Sequence, residues 1–133
     1  MKGIYVLIIS VRRNTRVEIG AKGIVAFERG TYAYVGSAQN NMEKRLARHF
    51  KSAKKKFWHI DYLLTSPATA VRRIFTCEAA KTEECRLADL LRKRGSAVTG
   101  FGSSDCKCKS HLFKISNYEF LKEYMQETVV RST

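Results

Sequence analysis

The segment that most constrains the fold runs from residue 32 to residue 50, because its hydrophobic period changes partway along. Residues 32–35 are rich in strand formers, and Gly36 is predicted to form a turn after them. Asn40 or Asn41 can then cap a helix whose apolar side chains recur at helical spacing. The buried side of this helix is predicted to consist of Met42, Leu46 and Phe50. The chain is therefore expected to form a strand, a glycine turn and a helix in succession.

Two polar side chains on the predicted helix suggest chemistry at its surface. Arg45 and His49 are four residues apart and so face the same way, beside the apolar side at the edge of the core. A permanent cation, an imidazole and the phenol of Tyr34 on the preceding strand would suit phosphate chemistry, in which negative charge must be stabilised and protons moved. The same residue types are also common on solvated helix surfaces. This segment alone leaves both interpretations open.

The charge of the chain indicates a polyanionic partner. Lys and Arg number 25 against 12 Asp and Glu, for a formal net charge of +13. Seven of the basic residues lie between positions 44 and 56. They are Lys44, Arg45, Arg48, Lys51, Lys54, Lys55 and Lys56. Such clusters support sequence-independent binding to nucleic acids, with Kd on the order of 10⁻⁴ to 10⁻⁶ M. An anionic membrane could use the same charge, but the cluster lacks a broad apolar face for insertion, which favours DNA.

Length and cysteine content place further bounds on the chain. Its 133 residues are predicted to form one domain, residues 1–133, with a core that needs no covalent staples. The apolar run at residues 3–10 is too short to span a bilayer and lacks a small-residue cleavage site, so it is predicted to be a buried strand. We therefore expect a cytoplasmic protein whose four cysteines are reduced thiols.

The remaining elements predict an α+β fold, in which helices flank a small central antiparallel sheet with an extra N-terminal hairpin. Residues 15–19 and 24–28 flank a glycine loop and are predicted to form the hairpin, which a strand at 31–35 extends into a meander. Residues 57–64 are ambiguous between strand and helix. A helix is favoured here, and it is expected to end before Pro67, because residues before proline are biased away from the α conformation.

The second half of the chain is predicted to alternate strands, helices and one long loop. The predicted elements are a strand at 71–77, a helix capped by Thr82 and closed by Gly95 after Arg94, a brief strand at 113–115, and a last helix from a capping box at 116–119 to about Thr128. The last helix is expected to bury Leu121, Tyr124 and Met125. Residues 95–112 form a loop rich in Gly and Ser, and a loop of this length is more often functional than filler.

The order of several residues resembles the GIY-YIG nuclease superfamily. Gly3-Ile4-Tyr5 lies on the first strand and Tyr34-Val35-Gly36 on a later one, and Arg45, His49 and a helical glutamate follow. The resemblance covers residues 3 to about 94. The remainder of the chain is similar to a little-characterised branch that is sometimes joined to a DNA-repair glycosylase of the endonuclease III type. The resemblance implies a small antiparallel sheet with surrounding helices, and a site for one divalent metal ion, Mg²⁺ or Mn²⁺.

The resemblance also implies roles for particular residues. The catalytic residues would be Tyr5, Tyr34, Arg45, His49 and Glu84. Tyr5 or His49 would assist deprotonation of the attacking water, Arg45 would stabilise the phosphate charge, and Glu84 would bind the metal. Glu83 flanks the same leucines, and the family's register favours Glu84. His59 stands where some relatives carry an additional histidine.

The chain departs from the superfamily in two respects. The interval between Tyr5 and Tyr34 is longer than in most members, which the hairpin at 15–28 would explain. The asparagine that relatives place after the glutamate helix has no counterpart, because residues 95–112 contain no Asn. Its candidate substitutes are Ser103, Ser104 and Asp105.

One further group of residues could bind zinc. Cys106, Cys108 and His111, with Cys77 or Cys85, offer suitable ligands, but the spacing of the paired cysteines is shorter than usual, and loop thiols near the site are the alternative.

The sequence thus predicts a metal-dependent DNA endonuclease that acts on structured or damaged DNA. Its expected DNA contacts are Lys44, Arg48, Lys51, Lys54, Lys55, Lys56 and His59. Arg48 is expected to contact a phosphate without a catalytic role. The alternative is a nucleic-acid-binding module that keeps this scaffold, does not cut, and serves as a partner of a DNA-repair enzyme.

Overall fold

The computed structural model describes residues 2–50, 56, 58–102 and 110–128. Within these ranges the strands are β1 (Gly3–Val11), β2 (Thr15–Glu18), β3 (Ile24–Phe27), β4 (Gly30–Ala38), β5 (Thr69–Cys77), β6 (Gly95–Ala97), β7 (Leu112–Ile115) and β8 (Gln126–Thr128). The α-helices are α1 (Met42–His49), α2 (His59–Leu64) and α3 (Glu83–Arg94). Short 3₁₀ turns occur at Gly20–Lys22 and Glu119–Glu123.

Six of the described strands form one antiparallel sheet in the order β6-β7-β4-β1-β5-β8. The other two, β2 and β3, pair with each other in a separate hairpin. The arrangement confirms the predicted α+β fold, in which helices flank a small antiparallel sheet with an additional hairpin. The described residues form a single small domain.

The predicted meander is wrong, because β1 pairs with β4 and β5 and not with the hairpin that follows it. β1 is the apolar run noted in the sequence, and a strand that is apolar on both faces requires buried neighbours. β2 does not provide one, since Arg16 and Glu18 lie exposed along it. β4 is buried for most of its length and so takes the place beside β1.

The two faces of the sheet are covered by different elements. Alternate β1 residues, among them Tyr5 and Leu7, pack on one face against α1, α2 and the hairpin. The intervening residues, among them Val6 and Ile8, pack on the other face against α3 and the C-terminal 3₁₀ turn. The sheet therefore separates two core layers, the phenol layer, which includes Tyr5 and Tyr34, and the apolar layer, which includes Val6 and Phe75.

The predicted C-terminal helix is wrong. The chain forms a 3₁₀ turn over Glu119–Glu123 and then β8, which pairs with the edge of β5. Leu121 and Met125 are buried as predicted, but Tyr124 is 54% exposed. Because backbone groups at the edge of a sheet offer hydrogen-bond partners, pairing there replaces the last helical turns.

The helix predicted to end at Arg94 is confirmed as α3, with Thr82 at its N-cap and Gly95 at its C-cap, but the predicted capping by the Thr82 side chain is wrong. Thr82 has helical backbone angles, and its side chain makes no capping hydrogen bond. Gly95 is extended, with φ −160°, so the chain passes from α3 straight into β6. Part of the long predicted loop at 95–112 is therefore strand.

Other local predictions are confirmed. The strands at 71–77 and 113–115 correspond to β5 and β7, and the ambiguous segment at 57–64 contains α2. Asn41 caps α1, because its Oδ1 accepts the backbone N–H of Lys44 at 3.0 Å. Among the described residues, we find no helix with the length and apolar character needed to cross a bilayer.

Candidate functional site

Tyr5 lies opposite Gly36 in the β1–β4 pairing, and its ring covers that glycine. A Cβ atom at Gly36 would lie 2.4 Å from both Cζ and Oη of Tyr5, which no packed side chain allows. The turn predicted at Gly36 is wrong, since this residue lies inside β4. The glycine is required by the close approach of the Tyr5 ring, which carries the phenol toward α1.

The phenol of Tyr5 meets His49 at the end of α1. Its hydroxyl lies 2.8 Å from Nε2 of His49, at hydrogen-bond distance. The prediction that His49 stands at the edge of the core is wrong, because its residue surface is only 3% exposed. Its ring packs near the rings of Tyr34 and Trp58, with centroids 6.4 and 6.3 Å away. The imidazole is therefore enclosed by aromatic side chains.

Arg45 approaches the same phenol from one turn earlier in α1. Its Nη1 donates to the backbone carbonyl of Ser37 at 2.9 Å. Burial raises the pKa of Tyr5, and the positive charge of the Arg45 guanidinium opposes that rise. The carboxylate of Glu84 raises the pKa of Tyr5 further. A cation and a carboxylate therefore act on one buried hydroxyl.

Tyr34 is the second buried phenol of the site. Its pKa is raised well above the ordinary value, mainly by burial and then by Tyr5, Glu84 and Asp61. Its ring packs edge to face with Phe101, with centroids 6.3 Å apart. Both phenols therefore remain protonated at neutral pH.

Glu84 is placed at the site by the first turn of α3 and is buried. Its Oε1 lies 3.0 Å from Nδ1 of His111, which is also buried. Glu83 points elsewhere, since its side chain is 38% exposed and pairs with Arg86 on the same helix. The two glutamates therefore have different surroundings, and Glu84 is the one whose charge raises the pKa of both phenols.

Trp58, Asp61 and Arg48 form a connected group beside Arg45. The fully buried Asp61 carboxylate accepts Nη1 and Nη2 of Arg48 at 2.7 and 2.9 Å, and the backbone N–H of Trp58 at 3.0 Å. The hydrogen bonds to Asp61 raise the pKa of Arg48. The guanidinium carbons of Arg45 and Arg48 lie 4.5 and 4.4 Å from the centroid of the Trp58 ring.

His59 fixes the segment that follows β6. Its Nδ1 accepts the backbone N–H of Gly102 at 2.9 Å, where a positive φ of 70° favours glycine. A Cβ at this glycine would lie 3.2 Å from the ring of Tyr34. Burial, and to a smaller degree the charge of Lys22, lowers the pKa of His59. A neutral His59 therefore holds this segment against Tyr34.

A family model described as a domain of unknown function, DUF123, matches residues 4–133. The chain belongs to the DUF123 family. Searches among curated proteins and among solved structures found no match.

The predicted DNA-contacting residues of this DUF123 domain have different surroundings. Lys44 and Lys56 are exposed, and Nζ of Lys56 lies 5.4 Å from the centroid of the Tyr62 ring. Arg48 and His59 make the internal contacts given above. Three predicted contacts, Lys51, Lys54 and Lys55, lie outside the described residues.

The donor set of the DUF123 site suits a hard divalent cation. Mg²⁺ commonly uses one or two protein carboxylates and completes its octahedron with water and substrate oxygens. Glu84 is a buried carboxylate whose charge raises the pKa of both phenols, and a carboxylate is a ligand type that such an ion uses. In the part of the chain that the structure describes, no group of three or more His, Cys, Asp or Glu side chains could hold a metal.

The predicted zinc site is only partly described. Cys106 and Cys108 lie outside the described residues, as do Ser103, Ser104 and Asp105, the candidate substitutes for the missing asparagine. His111, the third predicted ligand, lies against Glu84. Cys77 and Cys85 are free thiols, and burial raises the pKa of Cys77.

Sequence reasoning missed Trp58 and Asp61 as parts of the site, and considered His111 only as a zinc ligand. The spacing of Trp58 and Asp61 is that of a helix start with an acidic residue at its third position, a signal available in the sequence. The contact between His111 and Glu84 joins segments 27 residues apart, and no local pattern predicts it.

Proposed function

We propose that this DUF123 domain is a DNA endonuclease of the GIY-YIG type that hydrolyses one phosphodiester with a divalent metal ion, Mg²⁺ or Mn²⁺. The observation that carries the proposal is the 2.8 Å contact between the Tyr5 hydroxyl and Nε2 of His49, at a phenol whose pKa the Arg45 guanidinium lowers against the effect of burial. A hydroxyl, a proton acceptor and a permanent cation at one place are the groups that phosphodiester hydrolysis needs.

Tyr5 is proposed to pass on a proton, and not to act as a phenolate. Because burial raises its pKa, the hydroxyl is protonated at neutral pH. Such a hydroxyl can accept a proton from the attacking water only if its own proton moves to another base. Nε2 of His49 lies at the right distance to receive it when the imidazole carries its proton on Nδ1. The two residues first considered as rival bases would thus act in sequence.

The remaining residues would stabilise charge and orient the substrate. Arg45 would donate to the phosphate, whose negative charge increases in the transition state. The protonated hydroxyl of Tyr34 would donate to the water or to a phosphate oxygen. Glu84 would hold the metal ion, and the ion, when bound, supplies stabilisation of the leaving oxygen.

The substrate class follows from the charge of the chain. The net charge of +13 and the exposed Lys44 and Lys56 favour a nucleic-acid backbone. Contacts to the backbone position a protein without reading the base sequence, and reading of shape is therefore favoured over reading of bases. We propose branched, flapped or damaged DNA as the substrate, and a DNA-repair protein as a candidate partner.

The test is a nicking assay on supercoiled plasmid and on structured oligonucleotides, with Mg²⁺ or Mn²⁺. Wild-type protein is expected to cleave, and Arg45→Ala and Glu84→Gln are each expected to lower kcat by roughly 10²- to 10³-fold. Matched controls are Arg92→Ala and Glu83→Gln, which remove the same groups from exposed positions on α3. Cleavage that survives in Arg45→Ala or Glu84→Gln would contradict the assignment of the site.

A second function, a nucleic-acid-binding module that does not cut, is favoured by one observation. Tyr5, His49 and Glu84 are all less than 10% exposed, and Oε1 of Glu84 already lies against His111. A site this enclosed has to open to admit a phosphate. The module predicts DNA binding that weakens with salt, no cleavage with either metal ion, and equal affinity in wild type and Glu84→Gln.

A further inference from the structure

The contacts of Asp61 are unusual for a surface helix. Its carboxylate is fully buried, receives both terminal nitrogens of Arg48, and also accepts the backbone N–H of Trp58. A buried ion pair gains little net stability, because the desolvation of both charges offsets their attraction. Its bidentate geometry does fix the plane of the arginine side chain. The pair is therefore better suited to fixing the orientation of the Arg48 side chain than to stabilising the fold.

Trp58 contacts both members of this ion pair. The Arg48 guanidinium, fixed by Asp61, lies over the indole ring with its carbon 4.4 Å from the centroid. The backbone of Trp58 is tied to the same carboxylate. The ring is thus held from two directions, at its backbone and over its π-surface.

The Trp58 ring also contacts the guanidinium of Arg45. Its guanidinium carbon lies 4.5 Å from the Trp58 centroid, and Nη1 donates to the carbonyl of Ser37. A guanidinium is attracted to the face of an aromatic ring and stacks on it, which restricts the orientation of the cation. A fixed indole and one carbonyl therefore define where the Arg45 donors point.

We propose that Trp58, Asp61 and Arg48 are positioning residues that hold the Arg45 guanidinium beside Tyr5. This inference rests on the proposed function, and it changes the role expected of Arg48 from a phosphate contact to a support for Arg45. The chain of contacts runs from Asp61 to Arg48, from Arg48 to the indole of Trp58, and from the indole to Arg45.

The kinetic test separates positioning from binding. Arg48→Lys keeps a cation for Asp61 but loses the fork, and Trp58→Leu removes the π-surface but keeps an apolar side chain. Each variant is expected to lower the kcat of plasmid nicking by roughly 10- to 100-fold, with KM for DNA within about twofold of wild type. Asp89→Asn, which breaks an exposed Asp–Arg pair on α3, is the matched control and should leave both constants unchanged.

A direct contact between Arg48 and a DNA phosphate would give a different result. If Arg48 binds phosphate directly, Arg48→Lys raises KM, leaves kcat unchanged, and Arg48→Ala lowers the slope of log affinity against log salt by about one. That result would overturn the proposal.

A second measurement does not depend on cleavage. The Nε–H proton of Arg45 lies near the only tryptophan of the chain, so its NMR signal is expected to be shifted upfield by the ring current. The shift should be lost in Trp58→Leu and reduced in Arg48→Lys and Asp61→Asn, but not in Asp89→Asn. An unshifted wild-type signal, or an Arg48→Lys signal equal to wild type, refutes the positioning role. If wild type shows the shift but cuts no DNA, the proposed function fails while the positioning role stands.

Discussion

The two faces of the central sheet are built from the same strands but carry different kinds of side chain. On one face, Tyr5 and Tyr34 meet Arg45, His49 and the elements that carry Asp61. On the other, Ile4, Val6, Val35 and Phe75 pack with the apolar side of α3. Because side chains alternate along a strand, β1 contributes to both layers within three consecutive residues.

The two layers differ in how much buried charge they contain. The phenol layer includes the buried Asp61 carboxylate paired with Arg48, an ion pair whose desolvation offsets much of its attraction. The apolar layer is expected to contribute stability through the burial of its aliphatic and aromatic side chains. Glu84 is the exception, since α3 packs on the apolar layer and yet brings a carboxylate to the site.

The largest expected effect tests the apolar layer. Phe75 is fully buried at its centre, and Phe75→Ala is expected to lower the free energy of unfolding by about 3–5 kcal/mol through lost burial and a residual cavity. Urea denaturation measures the change. Tyr124→Ala, at a site 54% exposed, is the matched control, and should change stability by less than about 0.5 kcal/mol. Equal losses in the two variants would show that this layer does not carry the stability.

The next effect tests the close contact in the phenol layer. Gly36→Ala is expected to lower the free energy of unfolding by roughly 1–3 kcal/mol, because the new Cβ and the Tyr5 ring cannot occupy their present positions. A double-mutant cycle with Tyr5→Val measures the coupling, since the smaller side chain removes the clash. If Gly36→Ala costs as much in the Tyr5→Val background as alone, the ring is not what requires the glycine.

The sequence predicted the fold class and most elements because those follow from local periodicity. The apolar run that became β1, the cap at Asn41 and the helix ending at Arg94 are all encoded within a few residues. The errors arose where distant partners decide the outcome. β8 forms because β5 offers an edge, and β4 continues through Gly36 because Tyr5 lies across from it.

The motif order brought forward Tyr5, Tyr34, Arg45, His49 and Glu84, and their role as a catalytic site stays a prediction. The structure brings the Tyr5 hydroxyl to His49 and the His49 ring near Tyr34, and the charges of Arg45 and Glu84 affect the pKa values of both phenols. The burial of His49 could not be predicted, since a histidine beside an apolar stripe can face water or core. The contacts of Asp61 and His111 depend on tertiary packing alone.

A smaller effect distinguishes the layers by pH. Burial raises the pKa of Tyr5 and of Tyr34 above 10, so the stability linked to these protonated phenols is fully present below pH 10 and lost as pH rises toward the raised values. Each phenol should contribute about 1.4 kcal/mol of lost stability per pH unit in this range. Urea unfolding between pH 9 and about 11.5 measures the slope.

Tyr34→Phe should remove one phenol's share of that slope. Tyr124→Phe, at an exposed position in the other half of the molecule, is the control and should keep the wild-type slope. If Tyr34→Phe leaves the alkaline slope as steep as in wild type, the phenol layer is not the origin of the loss.

The smallest expected effect lies at the rim of the phenol layer, at the hydrogen bond from the backbone N–H of Gly102 to Nδ1 of His59. Protonation converts this acceptor into a donor, so the bond requires a neutral ring. Burial and the charge of Lys22 lower the pKa of His59 from 6.5, and the contribution of the bond is therefore present above pH 6.5 and lost as pH falls through the lowered value.

An NMR titration of the Gly102 amide proton measures this loss directly. We expect its shift to change with a midpoint below pH 6.5, because the amide loses its acceptor when His59 becomes charged. The amide of Val98, which donates to the backbone carbonyl of Leu112 at 2.9 Å in the same segment, is the internal control and should titrate little. If the shifts of both amides change with the same midpoint, the whole segment opens in acid, and the bond to His59 is not lost independently of the bond from Val98 to Leu112. If Gly102 titrates at or above pH 6.5, His59 is as accessible to water as a surface histidine, and the enclosure of Tyr34 by this segment is weaker than the distances imply.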